Sequence, residues 1–314
     1  MESVSIDNLL DIAKKGIDVS LIQRDENEVL KPIHYLRQKP YEAWVIWSKL
    51  LNHWLKVPED KFKIIFEIFE FYCDAIFITD DIYDEGLVRR GQKASYLKYG
   101  YPLTVACIEY VHYKIMELIL ALDHPDAMKI YLDIAIIIFK RQADDIVWIE
   151  KSRKFTFEEY MRYGGAKTTT IFALLVKLMQ LFSPVKIDLD NFLNLFGNFF
   201  FIANDHENLF RSEEAAGELH FADDLTEGKY TFPTIYAIDI LKDEEVYDIL
   251  MSKPKDIESR RRCVEKLRSN GTCEFSLKVI KRFYDEVLKE GDRIGSNPHV
   301  KEILDFYMDF DLLK

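Results

Sequence analysis

Asp80-Asp81-Ile82-Tyr83-Asp84, with Arg89-Arg90-Gly91 just beyond it, holds the residues best suited to chemistry in this 314-residue chain. Asp80 and Asp84 are four apart, so on a helix their carboxylates leave the same face. Such a pair suits Mg²⁺, which takes one or two protein carboxylates and completes its shell with water and phosphate oxygens. Two further polar clusters follow far downstream, Asn204-Asp205-His206-Glu207-Asn208 and Asp223-Asp224-Leu225-Thr226-Glu227-Gly228-Lys229. Together they predict metal-assisted chemistry on a diphosphate.

Positioning these groups requires long helices. The chain is 48% hydrophobic and 31% charged, enough for a large core, and only 12 Gly and 9 Pro interrupt it. Apolar residues recur with helical period, while alternating strand patterns are scarce. Short breaks are expected at Lys31-Pro32, Lys39-Pro40, Val57-Pro58, Gly100-Tyr101-Pro102, His124-Pro125, Gly164-Gly165, Ser183-Pro184, Phe232-Pro233 and Asn297-Pro298. The expected fold is a single all-α domain over residues 28–314, a helical bundle around a deep central cavity, with residues 1–27 as a peripheral segment. One helix carries Ile68, Tyr72, Ile76, Asp80 and Asp84 at four-residue steps, and another carries Phe196, Phe200, Asn204 and Asn208. If the two face each other they enclose an apolar pocket with a polar mouth, the shape a hydrocarbon diphosphate needs. The alternative for Ile76, Phe196 and Phe200 is plain core packing.

The formal charge of −12 argues against a nucleic-acid partner. Cys73, Cys107, Cys263 and Cys273 have no metal-ligand spacing. The N-terminus has no basic and apolar signal segment, and no apolar run approaches a membrane span. Reduced thiols and a cytoplasmic location are expected.

Five blocks extend the pattern: Asn52-His53-Trp54-Leu55-Lys56-Val57-Pro58-Glu59-Asp60; the Asp80–Asp84 and Arg89-Arg90-Gly91 pair; Leu122-Asp123-His124-Pro125-Asp126-Ala127; Leu178-Met179-Gln180-Leu181-Phe182-Ser183; and Asp224-Leu225-Thr226-Glu227-Gly228-Lys229 with Phe232-Pro233. On these the chain, from about residue 28 to its end, resembles the isoprenyl diphosphate synthase superfamily, most of all the animal and fungal geranylgeranyl diphosphate synthases. The resemblance implies Mg²⁺-dependent ionisation of an allylic prenyl diphosphate and its condensation with isopentenyl diphosphate. It implies three Mg²⁺ ions, with Mn²⁺ as an alternative, held by Asp80, Asp81, Asp84, Asn204, Asp205 and Asn208. It gives Arg89, Lys167 and Lys229 the allylic diphosphate, with Gln142 and Thr168 nearby, and leaves Arg90 to the co-substrate. Asp80, Asp84, Arg89 and Lys167 would be the catalytic set. Such cations fit the chemistry, because an allylic C–O bond breaks heterolytically only if the growing charge on pyrophosphate is neutralised. The resemblance also implies a homodimer or higher oligomer.

The departures from that pattern carry the functional expectation. A Lys and an Arg that hold isopentenyl diphosphate in the superfamily fall on Tyr41 and Trp44, and a His falls on Cys73. Each lost charge-assisted contact costs roughly 1.5–3 kcal/mol. On the allylic side the leading Asp of the second metal motif is Asn204, and the preceding Gln is Phe201. Two glycines after Lys167-Thr168 are Thr169 and Thr170, and a lysine position is Leu219. Asn204, Asn208 and Ser212 have the i, i+4, i+8 spacing of a terpene cyclase metal triad, without its final Glu. An ionisation site is kept while the co-substrate site is erased. The expected activity is that of a class I terpene synthase, a lyase that turns an allylic diphosphate into a hydrocarbon or alcohol. The absence of a blocking residue at Ala75 and Ile76 favours a C15 or C20 chain, with C10 open. Tyr41, Trp44 and Phe201 either stabilise carbocations through ring faces or close the vacated pocket. The alternatives are a prenyl diphosphate synthase with a rearranged second site, and a non-catalytic regulatory paralogue.

Overall fold

The computed structural model describes residues 6–16, 26–39, 41–151, 155–217 and 220–308. It is all-α apart from one small hairpin. Helix α1 (Ile6–Lys14) buries none of its residues. Then follow α2 (Lys31–Leu36), α3 (Glu42–Leu55), α4 (Glu59–Tyr83), the hairpin β1 (Val88–Arg89) and β2 (Gln92–Lys93), α5 (Ser95–Ala121), α6 (Ala127–Glu150), α7 (Phe157–Phe182) and α8 (Asp190–Phe210). Three single turns come next, α9 (Glu213–Ala216), α10 (Asp224–Glu227) and α11 (Phe232–Ile235), the last running into a π-helical turn at Tyr236–Ile240. The bundle closes with α12 (Glu244–Ser252), α13 (Ile257–Ser269), α14 (Thr272–Ile294) and α15 (Pro298–Met308).

Most of the expected breaks coincide with helix boundaries. Pro58 caps α4, Pro233 sits in the first turn of α11, and Pro298 starts α15. Gly100 kinks α5 at φ 79°, where Pro102 also removes a backbone donor. At the end of α3, Asn52 Oδ1 accepts the Val57 N–H at 2.8 Å while Lys56 turns left-handed at φ 53°. The Asn52–Asp60 block therefore spells a helix stop and restart.

Gly164-Gly165 is the exception. It lies inside α7, which a Thr156–Glu159 capping box starts and which runs unbroken to Phe182. The glycines serve packing there: a Cβ on Gly164 would overlap the Phe201 ring, and one on Gly165 would meet the Asn198 side chain. Gly197 returns the favour on α8, where a Cβ would overlap Thr169 Oγ1 and come within 3.2 Å of the Thr169 backbone. The helices α7 and α8 approach closely through these three residues. Gly197→Ala should therefore cost stability, because overpacking (about 1–3 kcal/mol) exceeds the gain of about 1 kcal/mol from helix propensity. Denaturant unfolding checks this, with Thr169→Ala expected to restore part of the loss. A Gly197→Ala chain as stable as the parent would refute the close contact.

The core is aromatic. Trp47 stacks on Phe172 with centroids 4.4 Å apart and meets Phe196 edge-on at 4.4 Å, and Phe192 joins them. A second apolar cluster, around Leu209, Phe210, Phe221, Leu225, Val246 and Leu267, anchors the α10 segment. All four cysteines are buried and free of disulfides. No helix among the described residues is long and apolar enough to cross a membrane.

Candidate active site

A cavity of about 250 Å³ opens between α4, α6, α7 and α8. At its polar end stand Asp80 and Asp84 of α4, Gln142 and Asp145 of α6, Lys167 and Thr168 of α7, Asn204 and Asp205 of α8, and Lys229. Its apolar end is made by Trp44, Ile76, Phe77, Ile171, Phe172 and Phe200. The two four-residue stripes thus converge, but only over part of their length. Ile68, Tyr72 and Phe196 are fully buried core, whereas Ile76 and Phe200 face the cavity.

The last turn of α4 delivers the carboxylates. Asp84 caps the helix, its N–H bonded to the Asp80 carbonyl at 2.9 Å. Lys167 Nζ lies 3.2 Å from Asp80 Oδ1 and also donates to Gln142 Oε1. Across the mouth, Gly228 at φ 71° reverses the chain after α10, so that Lys229 Nζ lies 3.3 Å from Asp224 Oδ1. Asp205 is buried, its Oδ2 accepting the Tyr160 hydroxyl and, at 2.7 Å, the Phe232 N–H.

This crowding sets the protonation states. Burial works against the charge on Asp80, but Lys167, Lys229 and Arg89 hold it below the ordinary aspartate value. Burial and the neighbouring Asp80 push Asp84 up to about 6. Burial and Asp224 push Asp205 up to about 7, and burial with Asp224 and Asp84 pushes Glu227 up to about 9. Lys229 is raised by the same anions, Asp224 first. So much buried negative charge fits a hard divalent cation, whose arrival would let these carboxylates ionise together. No three His, Cys, Asp or Glu side chains among the described residues form a ready-made cage for one ion. Water and phosphate oxygens would have to complete the shell of any ion held there.

Other candidates face elsewhere. Asp81 is buried away from the cavity and accepts Arg89 Nε at 2.8 Å and Nη2 at 2.5 Å. Arg89 also reaches Asp80 at 3.8 Å, so it braces the aspartate pair from behind. The reason lies in the hairpin, whose turn residues Arg90 and Gly91 both have positive φ, 53° and 69°, as a two-residue primed turn demands. The hairpin sends Arg90 to Asp74, at 3.2 Å, outside the cavity wall. Asn208 donates to Asp223 Oδ1 and accepts the Asp224 N–H at 3.3 Å, tying α8 to α10. Ser212 cannot extend a triad with Asn204 and Asn208, because α8 ends at Phe210 and Arg211 is extended at ψ 142°. Thr169 packs over Gly197, Thr170 Oγ1 donates to the Ala166 carbonyl at 2.6 Å, and Leu219 lies outside the described residues.

The three aromatic departures divide likewise. Trp44 stands in the cavity, stacked on Phe77 with rings 10° from parallel and edge-on to Phe69 at 5.1 Å. Phe201 lines the wall beside Tyr160. Tyr41 lies behind, edge-on to Trp44 at 4.9 Å, and Cys73 is buried in the core.

Sequence reasoning missed a whole wall. Arg141, Asp145, Trp148, Phe155, Tyr160, Tyr163 and Tyr230 also line the cavity. Arg141 bonds Asp145 at 2.9 Å and lies 4.6 Å over the Trp148 ring, and Trp148 meets Phe155 and Tyr163 edge-on. The signal was present: Arg141, Asp145 and Trp148 fall at i, i+4 and i+7 beside Gln142, and Tyr160, Tyr163 and Lys167 fall at i, i+3 and i+7 on α7, so each set shares one helix face.

Known proteins are similar to this chain over most of its length. The family model for polyprenyl synthetase matches residues 43–267. A terpene synthase of Matsumurasca onukii is 31% identical over 293 residues, 92% of this chain and 96% of that protein. A geranylgeranyl pyrophosphate synthase of Mucor circinelloides f. lusitanicus is 30% identical over 286 residues, 89% of this chain and 93% of that protein. One of Dictyostelium discoideum is 28% identical over 258 residues, 82% and 85% of the two chains.

Proposed function

The chain belongs to the polyprenyl synthetase family, and from that premise we propose that it is a class I terpene synthase. It would ionise an allylic prenyl diphosphate and release a hydrocarbon or alcohol with pyrophosphate, without consuming isopentenyl diphosphate. The observation that carries the reading is Trp44. A position expected to hold a co-substrate cation instead puts an indole into the cavity.

The residues divide the work. The prenyl tail lies among Ile76, Phe77, Ile171, Phe172 and Phe200, where its apolar surface leaves water. Trp44 stacked on Phe77 takes space at that end, which favours the shorter members of the C10–C20 range. Lys167 and Lys229 meet the diphosphate as point charges, and Arg89 steadies Asp80. The family generally depends on Mg²⁺, and here Asp80, Asp84, Asn204 and Asp205 are the groups that would hold it. Bound there it supplies neutralisation of the charge growing on pyrophosphate. Trp148, Tyr163, Phe155, Tyr230 and Phe201 present ring surface beside the departing carbon, where a carbocation is stabilised and bulk water is kept away. The cation then ends by losing a proton or taking up water. A cytoplasmic homodimer completes the proposal; exposed Tyr113 and Leu120 on α5 and Ile136 on α6 support it by offering apolar surface for a second copy.

The relatives named geranylgeranyl pyrophosphate synthase favour a second reading, prenyl transfer to isopentenyl diphosphate. Pyrophosphate release separates the two. With geranyl or farnesyl diphosphate and Mg²⁺ alone, release should proceed at the full rate, and added isopentenyl diphosphate should not accelerate it. Release that begins only on adding isopentenyl diphosphate establishes the second reading.

A further inference from the structure

Behind the Phe77 wall three segments remote in sequence bring two guanidiniums to one buried carboxylate. Asp74 on α4 is 2% exposed, and its two oxygens are taken by different arginines. Arg37, just past α2, donates Nε to Oδ2 at 2.6 Å, and Arg90, from the hairpin turn, donates Nη2 to Oδ1 at 3.2 Å. Arg90 lies over the rings of Tyr41 and Phe77, and Arg37 lies 4.4 Å over Phe71. Gln92 bonds the Tyr35 carbonyl at 3.4 Å, holding the hairpin against α2.

A carboxylate shut away from water is tolerated only when paired, and here the pairing takes one donor of each guanidinium and leaves Arg37 Nη2 buried without a partner among the described residues. The guanidinium donors that grip a carboxylate's oxygens suit a phosphate's oxygens equally. We propose that Asp74 is a specificity-determining residue, a built-in anion that occupies the seat a second free diphosphate would take and so excludes isopentenyl diphosphate. The inference rests on the terpene synthase reading and supplies its cause: the surviving arginines are present, but the anion between them is already in place. Removing the charge of Asp74 frees both guanidiniums for an external diphosphate.

The test is metal-free calorimetry with inorganic pyrophosphate and with isopentenyl diphosphate. Asp74→Asn should bind isopentenyl diphosphate at least about tenfold more tightly than the parent chain, and adding Arg90→Gln should abolish that gain. A purely structural Asp74 would lower the melting temperature without creating affinity. Because Asp74→Asn leaves two buried cations, Asp74→Asn with Arg37→Gln is the companion, keeping the cluster's net charge while freeing Arg90; it should show the gain too. The parent chain supplies a measurement that needs neither variant: its affinity for isopentenyl diphosphate should not change with Arg90→Gln. A folded Asp74→Asn chain, or its companion, with no gain overturns the proposal, as does a parent chain that loses affinity through Arg90→Gln. No turnover enters these readings, so their failure is distinct from a failure to ionise an allylic diphosphate alone.

Discussion

Asp80→Ala should release no measurable pyrophosphate from an allylic diphosphate, a loss of at least roughly 10³-fold in kcat. Asp80 is the point at which the site's charges meet, with Lys167 at 3.2 Å and Arg89 at 3.8 Å. Removing it takes away a proposed metal ligand and leaves those cations without the carboxylate they flank. Asp84→Ala should be nearly as severe, because Asp84 is the other α4 carboxylate on the cavity. Asp81→Asn makes the contrast. That residue is locked to Arg89 on the far side of the helix, so its substitution should appear first as a lowered melting temperature. Steady-state kinetics over a Mg²⁺ series read the Asp80 and Asp84 effects, and thermal melts read that of Asp81. An Asp80→Ala chain that turns over normally would mean that the metal-dependent step lies elsewhere.

Asp205→Asn should change how stability depends on pH. Asp205 is held up to about 7 by burial and by Asp224, against an ordinary value of 3.8. A carboxyl group with a raised folded value binds more protons folded than unfolded between those two values, so stability falls as pH rises through that window. The cost is nearly absent at pH 4, complete above about pH 7, and of the order of 4 kcal/mol. Thermal melts of the metal-free chain at pH 5 and pH 8 should therefore differ more for the parent than for Asp205→Asn. Mg²⁺ with pyrophosphate should close the gap, since the ion favours the ionised form. Equal pH dependence in the two chains would show that Asp205 titrates normally.

How far the sequence could be read follows from these same residues. Spacing alone put Asp80, Asp84 and Asn204 on helical faces, and the family resemblance added Gln142, Lys167, Thr168 and Lys229; all of them reach the cavity. What spacing does not carry is partner choice. Asp80 and Asp81 are adjacent and chemically identical, yet one faces the cavity and the other faces Arg89, because a helix turns about 100° per residue and the hairpin supplies an arginine on one side only. Arg90 and Asn208 were likewise consistent with ligand binding until Asp74, Asp223 and Asp224 claimed them. Gly164-Gly165 reads locally as a break, whereas its use depends on Phe201 and Asn198 some thirty-five residues away. Tertiary contact decided each case, and a local pattern holds no record of it.

The most direct measurement follows the carbon. Purified protein is given geranyl, farnesyl or geranylgeranyl diphosphate with Mg²⁺ and isotopically labelled isopentenyl diphosphate, and volatile products and dephosphorylated prenyl alcohols are analysed by mass. Products that keep the carbon number of the allylic substrate and carry no label are the predicted result. A prenyl diphosphate five carbons longer, carrying the label, would contradict the account.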